Sequence, residues 1–305
     1  MVGGFYKFVE QTLFAPCTVL QRAVSALLAP LGSAVGFFAY RSLVRQTPVD
    51  LGIKIISVGN LTIGGSGKTP LVAAIANCYE NAAIVLRGYG RKSRKPLIVD
   101  HESTPFLVGD EALVYRFLVP KAIVIVSADR RAGALMAKEL GASIVLFDDG
   151  FRHRSIAKFD ILIRPTPEPL NDRLLPAGCY RLPKRAYDLA DFVAIEGSDF
   201  CRNTALTNQT SRMVLVTAIS RPKRLDPFLP SVVAKYTFPD HSFFDKRELE
   251  AIVKRHDATS LLVTRKDAVK LTDCNLPLTI LEQSITLGAE LSCALGRFVA
   301  AEQAL

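Results

Sequence analysis

A glycine-rich turn between an apolar strand and a helix is the feature that most constrains the fold of this chain. Residues 53–58 predict a buried strand, and residues 71–79 predict a helix. Glycines between them allow a tight turn whose N–H groups converge on one anion, and the helix N-terminus adds partial positive charge. The order therefore predicts a phosphate-binding loop. Its predicted nucleotide contacts are Gly64, Gly65, Ser66, Gly67, Lys68 and Thr69.

Two side chains at the end of this loop predict the use of ATP and Mg²⁺. In such loops the lysine, here Lys68, reaches the β- and γ-phosphates, and the hydroxyl of the next residue, Thr69, holds Mg²⁺. The strict G-x-x-x-x-G-K-[ST] pattern has glycine where this chain has Thr62. The alternative is a glycine-rich turn that only links strand to helix. The order of strand, loop, Lys-Thr and helix favours the phosphate site.

The N-terminal region and the net charge indicate a membrane surface. The net charge is +9, which suits an anionic partner such as nucleic acid, an anionic membrane or a phosphorylated substrate. Residues 23–40 are 18 consecutive uncharged residues, at the lower limit for crossing a bilayer. Three alternatives remain: one membrane helix, a pair of short helices in the interface, or a buried helical pair. Arg41, Arg45 and Lys54 would keep the following side cytoplasmic.

Alternating strands and helices with near-continuous apolar runs predict a parallel α/β sheet. Five prolines make residues 164–184 irregular, and the polar stretch 197–212 indicates a boundary or linker before the alternation resumes. The predicted fold is a P-loop NTPase-like parallel sheet with flanking helices, a smaller C-terminal α/β lobe and an apolar N-terminal helical segment. The predicted domains are residues 1–48, 49–209 and 210–305.

Four further residues are candidates for the chemistry. Asp148 and Asp149 end a predicted strand and can hold magnesium, although Asp-Asp-Gly is also a turn former. Asp110 is a candidate general base for transfer to an alcohol, although from its position alone an acid that starts a helix is the simpler interpretation. His241 lies between a strand and a helix, where a surface loop histidine is the simpler interpretation.

Together these segments resemble the tetraacyldisaccharide 4′-kinases, the lipid A 4′-kinases of Gram-negative bacteria, over nearly the whole chain. The combination of the phosphate loop with the motif at Asp148 is the most specific part. The shared motifs are Val58–Pro70, Arg87–Arg91, Gly109–Glu111, Asp148–His153, Leu174–Gly178 with Arg181, Phe238–His241 and Thr264–Lys270. The family also has threonine at the position of Thr62.

The resemblance implies an enzyme that transfers the γ-phosphate of ATP to the 4′-hydroxyl of a lipid disaccharide 1-phosphate, giving lipid IVA in lipid A biosynthesis. It implies a place at the cytoplasmic face of the inner membrane. Asp110 matches the catalytic base and His241 its partner in a dyad. The other implied contacts are Lys68 and Thr69 for nucleotide and magnesium, Asp148 and Asp149 for the metal, and Arg181 and Glu111 for the substrate.

Three departures from the family pattern predict an altered acidic contact near the substrate. Arg152 stands where glutamine is usual, and Leu182 and Arg265 stand where glutamate is usual. A P-loop GTPase or ATPase switch without lipid kinase activity is the alternative function. A nucleic-acid-binding ATPase does not need the apolar N-terminus, so no nucleic acid partner is expected. The sequence also indicates no obligate protein partner.

Overall fold

The structure is a computed structural model that describes residues 2–89, 91, 95–240, 242–271 and 274–301, with side chains from residue 8 onward. The chain divides into two units. The first comprises residues 1–68, 146–200 and 287–305, and the second comprises residues 69–145 and 201–286. The domain boundaries predicted after residues 48 and 209 do not coincide with the limits of these units, and they stay predictions.

Helices and strands alternate along most of the chain. Up to residue 195 the elements are α1 (Val2–Phe14), α2 (Val19–Val44), β1 (Lys54–Asn60), α3 (Lys68–Ala76), β2 (Ala82–Leu86), β3 (Leu97–Ile98), α4 (Pro105–Val108), α5 (Asp110–Leu118), β4 (Ile123–Val126), α6 (Arg130–Glu139), β5 (Ile144–Asp148), β6 (Phe159–Arg164) and β7 (Phe192–Ile195). The remaining elements are β8 (Phe200–Thr207), β9 (Met213–Thr217), β10 (Ala234–Thr237), α7 (Lys246–Arg255), β11 (Ser260–Thr264), α8 (Arg265–Ala268), β12 (Leu278–Leu287) and α9 (Ala289–Ala300).

In the first unit, buried parallel strands lead to the phosphate loop. β1 lies between β5 and β6, and β7 follows β6. The pairs β1–β6 and β6–β7 are parallel, with Val58 opposite Ile161 and Ile163 opposite Ala194. β1 is buried except at Lys54, and β5 is buried throughout. Strands with such continuous burial are typical of sheets covered on both faces, as the sequence predicts.

The second unit contains two sets of strands. β4 is parallel to β2 and antiparallel to the short β3. A separate five-stranded sheet has the order β10-β9-β11-β12-β8, in which β10, β9, β11 and β12 are parallel. The amphipathic helix α7 buries Leu249 and Ile252 in the apolar cluster beside this sheet. The five-stranded sheet is the predicted smaller α/β lobe.

Strand β8 corrects one expectation from the sequence. The polar residues 197–212 predict a linker, but residues Phe200–Thr207 form the strand that follows β12 at the edge of the five-stranded sheet. Burial alternates along the strand from one residue to the next. A strand with one solvated face needs apolar character at only every second position. Arg202, Thr204 and Leu206 occupy the half-buried positions, so the apolar pattern that marks a strand is weak.

The apolar N-terminal segment forms two helices, and the second packs through a narrow stripe of mostly small residues. Thr18 caps α2 in a capping box with Gln21. A Cβ added at Gly32 would lie 2.6 Å from the carbonyl oxygen of Leu174, so only glycine fits this approach. The buried residues of α2 are Gln21, Ser25, Gly32, Gly36 and Leu43. The opposite face is apolar and exposed, and α2 is long and apolar enough to cross a membrane by length and composition.

Candidate active site

The phosphate loop, residues 61–67, connects β1 to α3 and turns at glycine. Gly64 and Gly67 have φ angles of +88° and +79°, which residues with a side chain rarely adopt. Because α3 begins at Lys68, the N–H groups of its first turn follow the loop directly. The hydroxyl of Ser66 is buried and has no hydrogen-bond partner among the described residues. An anion in the loop would supply that partner.

Lys68 is held by two acceptors of the first unit. Its Nζ donates to Oδ1 of Asn60 at 3.0 Å and lies 3.6 Å from Oδ1 of Asp149. Asn60 is in turn fixed by the loop, because its Nδ2 donates to the carbonyl of Thr62 at 2.8 Å. These contacts place the ammonium group of Lys68 between the end of β1 and the end of β5. Asn60 lies in the shared motif Val58–Pro70, but no role was predicted for it.

Asp148 and Asp149 follow the same strand but have different environments. Asp148 is buried at the end of β5. Asp149 adopts the left-handed conformation with φ of +55°, which aspartate tolerates better than most residues. Its N–H donates to the carbonyl of Val58 at 2.9 Å. Its side chain is 43% exposed and accepts from Nη1 of Arg181 at 3.0 Å.

A segment more than one hundred residues downstream lies along the phosphate loop. Thr62 forms an antiparallel bridge with Tyr180. The N–H of Ile63 donates to Cys179, and the N–H of Arg181 donates to the carbonyl of Leu61 at 2.7 Å. Thr62 is absent from the residues with positive φ, so its position does not need glycine. The same contacts attach Arg181 to the loop and bring it to Asp149.

The predicted magnesium ligands are all oxygen donors, the ligand type that Mg²⁺ prefers. Among the described residues, no group of three or more His, Cys, Asp and Glu side chains could hold a metal ion. Mg²⁺ in nucleotide sites is usually bound through one or two carboxylates together with substrate phosphates. Asp148, Asp149 and the hydroxyl of Thr69, in the first turn of α3, are donors of this type. Their assignment to the metal stays a prediction.

In the second unit, Asp110 is a buried carboxylate at the start of α5. It follows Gly109, whose φ of +87° and ψ of 152° separate α4 from α5. Oδ1 of Asp110 accepts from the N–H of Glu111 at 3.2 Å, and Oδ2 lies 3.4 Å from Nζ of Lys270. An acidic residue is common at the start of a helix, where it faces the positive end of the helix dipole. Asp110 is in addition buried beside the ammonium group of Lys270, which a helix start does not require.

Lys266 lies among carboxylates of the second unit. Its Nζ is 3.8 Å from Oε1 of Glu111 and 3.6 Å from Oδ1 of Asp240. Burial by itself lowers the pKa of Lys266, but the carboxylates of Glu111, Asp240, Asp110 and Asp267 raise it by more, so the net pKa lies above its usual value. Lys266 is therefore a fixed positive charge. Lys266 and Lys270 lie in the shared motif Thr264–Lys270, but no role was predicted for either lysine.

The structure brings the predicted residues together in two groups. In the first unit, Lys68, Asp149 and Arg181 are in contact beside the phosphate loop. In the second unit, Asp110 and Glu111 are neighbours that contact Lys270 and Lys266 respectively. His241 lies outside the described residues, and its assignment stays a prediction.

The three departures from the family pattern have distinct environments. Leu182 is buried in the apolar cluster that includes Leu61 and Tyr180, so it contributes to the core. Arg265 pairs with Glu282, and its guanidinium carbon lies 3.5 Å from the centre of the Phe117 ring. Arg152 is exposed. An altered acidic contact with the substrate stays a prediction.

Known proteins are similar to this chain over most of its length. A family profile described as tetraacyldisaccharide-1-P 4′-kinase matches residues 24–300. The tetraacyldisaccharide 4′-kinase of Aliarcobacter butzleri is 41% identical over 286 residues, covering 90% of this chain and 91% of that protein. The protein of the same name from Campylobacter jejuni strain RM1221 is 42% identical over 288 residues, 93% of each chain.

One solved structure gives the same result for the fold. The crystal structure of LpxK from Aquifex aeolicus in complex with ATP has a TM-score of 0.73 and is 25% identical in sequence. The match covers 90% of this chain and 99% of that chain. The predicted fold class and the resemblance to the kinase family are confirmed.

Proposed function

The chain belongs to the tetraacyldisaccharide-1-phosphate 4′-kinase family, and from this membership we infer that it phosphorylates the 4′-hydroxyl of a tetraacyldisaccharide 1-phosphate with ATP. The observation that carries the inference in the molecule itself is the phosphate loop. Its glycine turn ends at Lys68, whose ammonium group is held by Asn60 and Asp149. The relatives and the similar structure do not favour a nucleotide switch without lipid kinase activity.

In the reaction, the 4′-hydroxyl oxygen forms a bond to the γ-phosphorus while the bond from that phosphorus to the β–γ bridging oxygen breaks. The hydroxyl proton passes to the carboxylate of Asp110, and ADP leaves with the electron pair of the broken bond. Lys68 and the N–H groups at the start of α3 stabilise the charge on the phosphate oxygens. Glu111 and Arg181 are proposed to contact the lipid substrate.

Asp148, Asp149 and Thr69 are the residues proposed to hold the magnesium ion. When bound, Mg²⁺ neutralises charge on the β- and γ-phosphate oxygens. Arg181 and Lys68 both contact Asp149 in the structure, and they keep its carboxylate oriented toward the loop.

A labelled-phosphate assay tests the function directly. Purified protein incubated with γ-labelled ATP, Mg²⁺ and a tetraacyldisaccharide 1-phosphate is expected to transfer label to the lipid. A lipid that already carries a 4′-phosphate is the matched control, and it should remain unlabelled because the accepting hydroxyl is blocked. Nucleotide hydrolysis without labelled lipid would contradict the kinase assignment and support the switch.

We propose that the enzyme works at the cytoplasmic face of the bacterial inner membrane, with α2 lying in the interface. The buried stripe of α2 runs from Gln21 to Leu43, so nearly the whole helix is packed against the rest of its unit. Ser25 donates to the carbonyl of Ala177 at 2.6 Å. Insertion across a bilayer would give up these contacts. The opposite face exposes large apolar side chains, including Leu27 at 81% and Phe38 at 68%.

Two substitutions on the exposed face of α2 test this membrane contact. The double variant Leu27→Glu/Phe38→Glu is expected to weaken binding to anionic vesicles by about a hundredfold or more, because each lost apolar contact is worth about 1.5 kcal/mol or more. Raised salt alone should weaken binding only partly, because apolar insertion is not screened. Vesicle co-sedimentation measures both effects.

The control for the membrane test is Ile98→Glu/Leu140→Glu, which changes two exposed apolar residues outside α2. This variant should bind vesicles like the unaltered protein. Equal binding by both double variants would mean that the exposed face of α2 makes no membrane contact. The point variants leave the buried stripe intact, whereas deletion of the N-terminus would also remove the contacts with residues 174–177.

A further inference from the structure

Two lysines at and just after α8 each contact carboxylates or carbonyls from other segments of the second unit. Nζ of Lys266 lies 3.8 Å from Oε1 of Glu111, in the first turn of α5, and 3.6 Å from Oδ1 of Asp240. Asp240 directly precedes His241 in the chain. A single ammonium group therefore connects the residue after Asp110 with the residue before His241.

Lys270, four residues after Lys266, makes contacts of the same kind with Asp110 and with the residue after His241. Nζ of Lys270 lies 3.4 Å from Oδ2 of Asp110 and donates to the carbonyl of Ser242 at 3.3 Å. Ser242 directly follows His241. The side chain of Lys270 is only 2% exposed, and its ammonium group also lies 5.8 Å from the centre of the Phe244 ring. Both flanks of His241 are thus tied to the segment that contacts Asp110 and Glu111.

The segment itself is anchored in the five-stranded sheet by Asp267. This fully buried carboxylate lies 3.8 Å from Nζ of Lys270. It accepts from the hydroxyls of Thr217 and Thr264 at 2.7 and 2.8 Å and from the N–H of Ala218 at 3.1 Å. These donors lie at or after the ends of the neighbouring strands β9 and β11. Hydrogen bonds from a rigid sheet fix the carboxylate, and the carboxylate fixes Lys270.

We propose that Lys266 and Lys270 are positioning residues that hold Asp110 and the chain on both sides of His241 in one arrangement. The proposal rests on the function inferred above, in which Asp110 accepts the hydroxyl proton. A base accelerates proton transfer only when it is held in the reactive geometry, and a displacement of about 1 Å costs about a hundredfold in rate.

A purely structural role for the two lysines makes different predictions. A buried ion pair is weak support for a stabilising role, because desolvation offsets much of the attraction. If the lysines served only stability, their removal would lower the melting temperature and affect all activities through the fraction of folded protein. If they position Asp110, their effect on kcat must depend on whether Asp110 is present.

The test measures kcat, KM for ATP and the melting temperature for Lys270→Met and Lys266→Met, each with and without Asp110→Asn. In the presence of Asp110, we expect Lys270→Met to lower kcat by about a hundredfold and Lys266→Met by about tenfold, with little change in KM for ATP. In the Asp110→Asn background, each lysine substitution should cost less than about threefold, because residues that act as one unit are not additive. Lys270→Arg, which keeps the positive charge, should restore much of the lost rate.

Amide hydrogen exchange does not require catalytic activity, so it tests the proposed role of the lysines separately from the proposed kinase function. Amide hydrogen exchange of residues 240–244 should become about tenfold faster in Lys266→Met, because the segment loses its contact with the lysine. Lys254→Met, at an exposed lysine of α7, is the matched control and should change neither exchange nor kcat. Lipid phosphorylation by the unaltered protein tests the function by itself.

The outcomes are distinct even where one variant fails to fold. Lys270→Met removes the charge beside a fully buried aspartate, so Lys266→Met, at a less buried lysine, and Lys270→Arg provide independent tests. Equal losses of kcat in both backgrounds would overturn the proposal. Unchanged exchange of residues 240–244 in Lys266→Met would also overturn it.

Discussion

Replacing Lys68 with alanine is expected to reduce the turnover of lipid phosphorylation by about a thousandfold. The ammonium group is held at the end of β1 by Asn60 and lies beside Asp149. Its charge stabilises the negative charge on the γ-phosphate oxygens as the transferred group separates from ADP. Single-turnover phosphorylation at saturating ATP measures the loss of rate separately from any loss of nucleotide affinity.

The matched control is Lys121→Ala, which removes an exposed lysine from the turn before β4. Its turnover should stay within about threefold of the unaltered protein, because exposed substitutions away from special contacts change little. A melting temperature for each variant shows that both are folded. Near-normal turnover of Lys68→Ala would remove the assignment of residues 61–67 as the phosphate site.

The phosphate loop could be predicted because every part of it is consecutive in the chain. A buried strand, a glycine turn and a helix form one local unit, and the positive φ angles at Gly64 and Gly67 follow from the residue type. β5 could likewise be predicted from a short apolar run that ends in Asp148 and Asp149. Local patterns of this kind need no knowledge of the distant chain.

The contacts that complete the two groups of residues could not be predicted, because they join distant segments. Thr62 meets Tyr180, and Lys270 meets Asp110, only after the intervening strands have been paired. A lysine in a polar segment gives no sign of burial when it is read alone. Lys266 and Lys270 are four residues apart in a motif, and that spacing is the one signal that could have identified them.

For the N-terminal helices, composition predicts the apolar character, but the contacts that the helices make could not be predicted from it. The uncharged run of residues 23–40 indicates apolar surroundings, and it leaves open one membrane helix, a pair of short helices in the interface and a buried helical pair. What favours an interfacial helix is the stripe from Gln21 to Leu43, where Gly32 and Gly36 allow close contact with Leu174. In the sequence, Gly32 and Gly36 suggest that the helix is interrupted. In the structure they lie within α2 and allow its close contact with Leu174.

The proposed dyad of Asp110 and His241 leads to the second large effect. Asp110→Asn keeps the size of the side chain but removes its ability to take the proton of the 4′-hydroxyl, and kcat is expected to fall by at least about a hundredfold. His241→Ala should also lower kcat strongly, while ATP still binds to both variants. Aspartate has a reference pKa of about 3.9 and is a weak base at neutral pH, so positioning must supply much of its effect.

The double variant decides whether the two residues act as one unit. If His241 acts by orienting or supporting Asp110, Asp110→Asn/His241→Ala should be little slower than the slower single variant, because the losses of a unit do not add. Rates of lipid phosphorylation at saturating ATP, with nucleotide binding measured separately, give the comparison. Fully multiplicative losses would mean two independent roles. An unimpaired His241→Ala would make His241 an ordinary loop histidine, and Asp110, held by Lys270 at 3.4 Å, would then accept the proton alone.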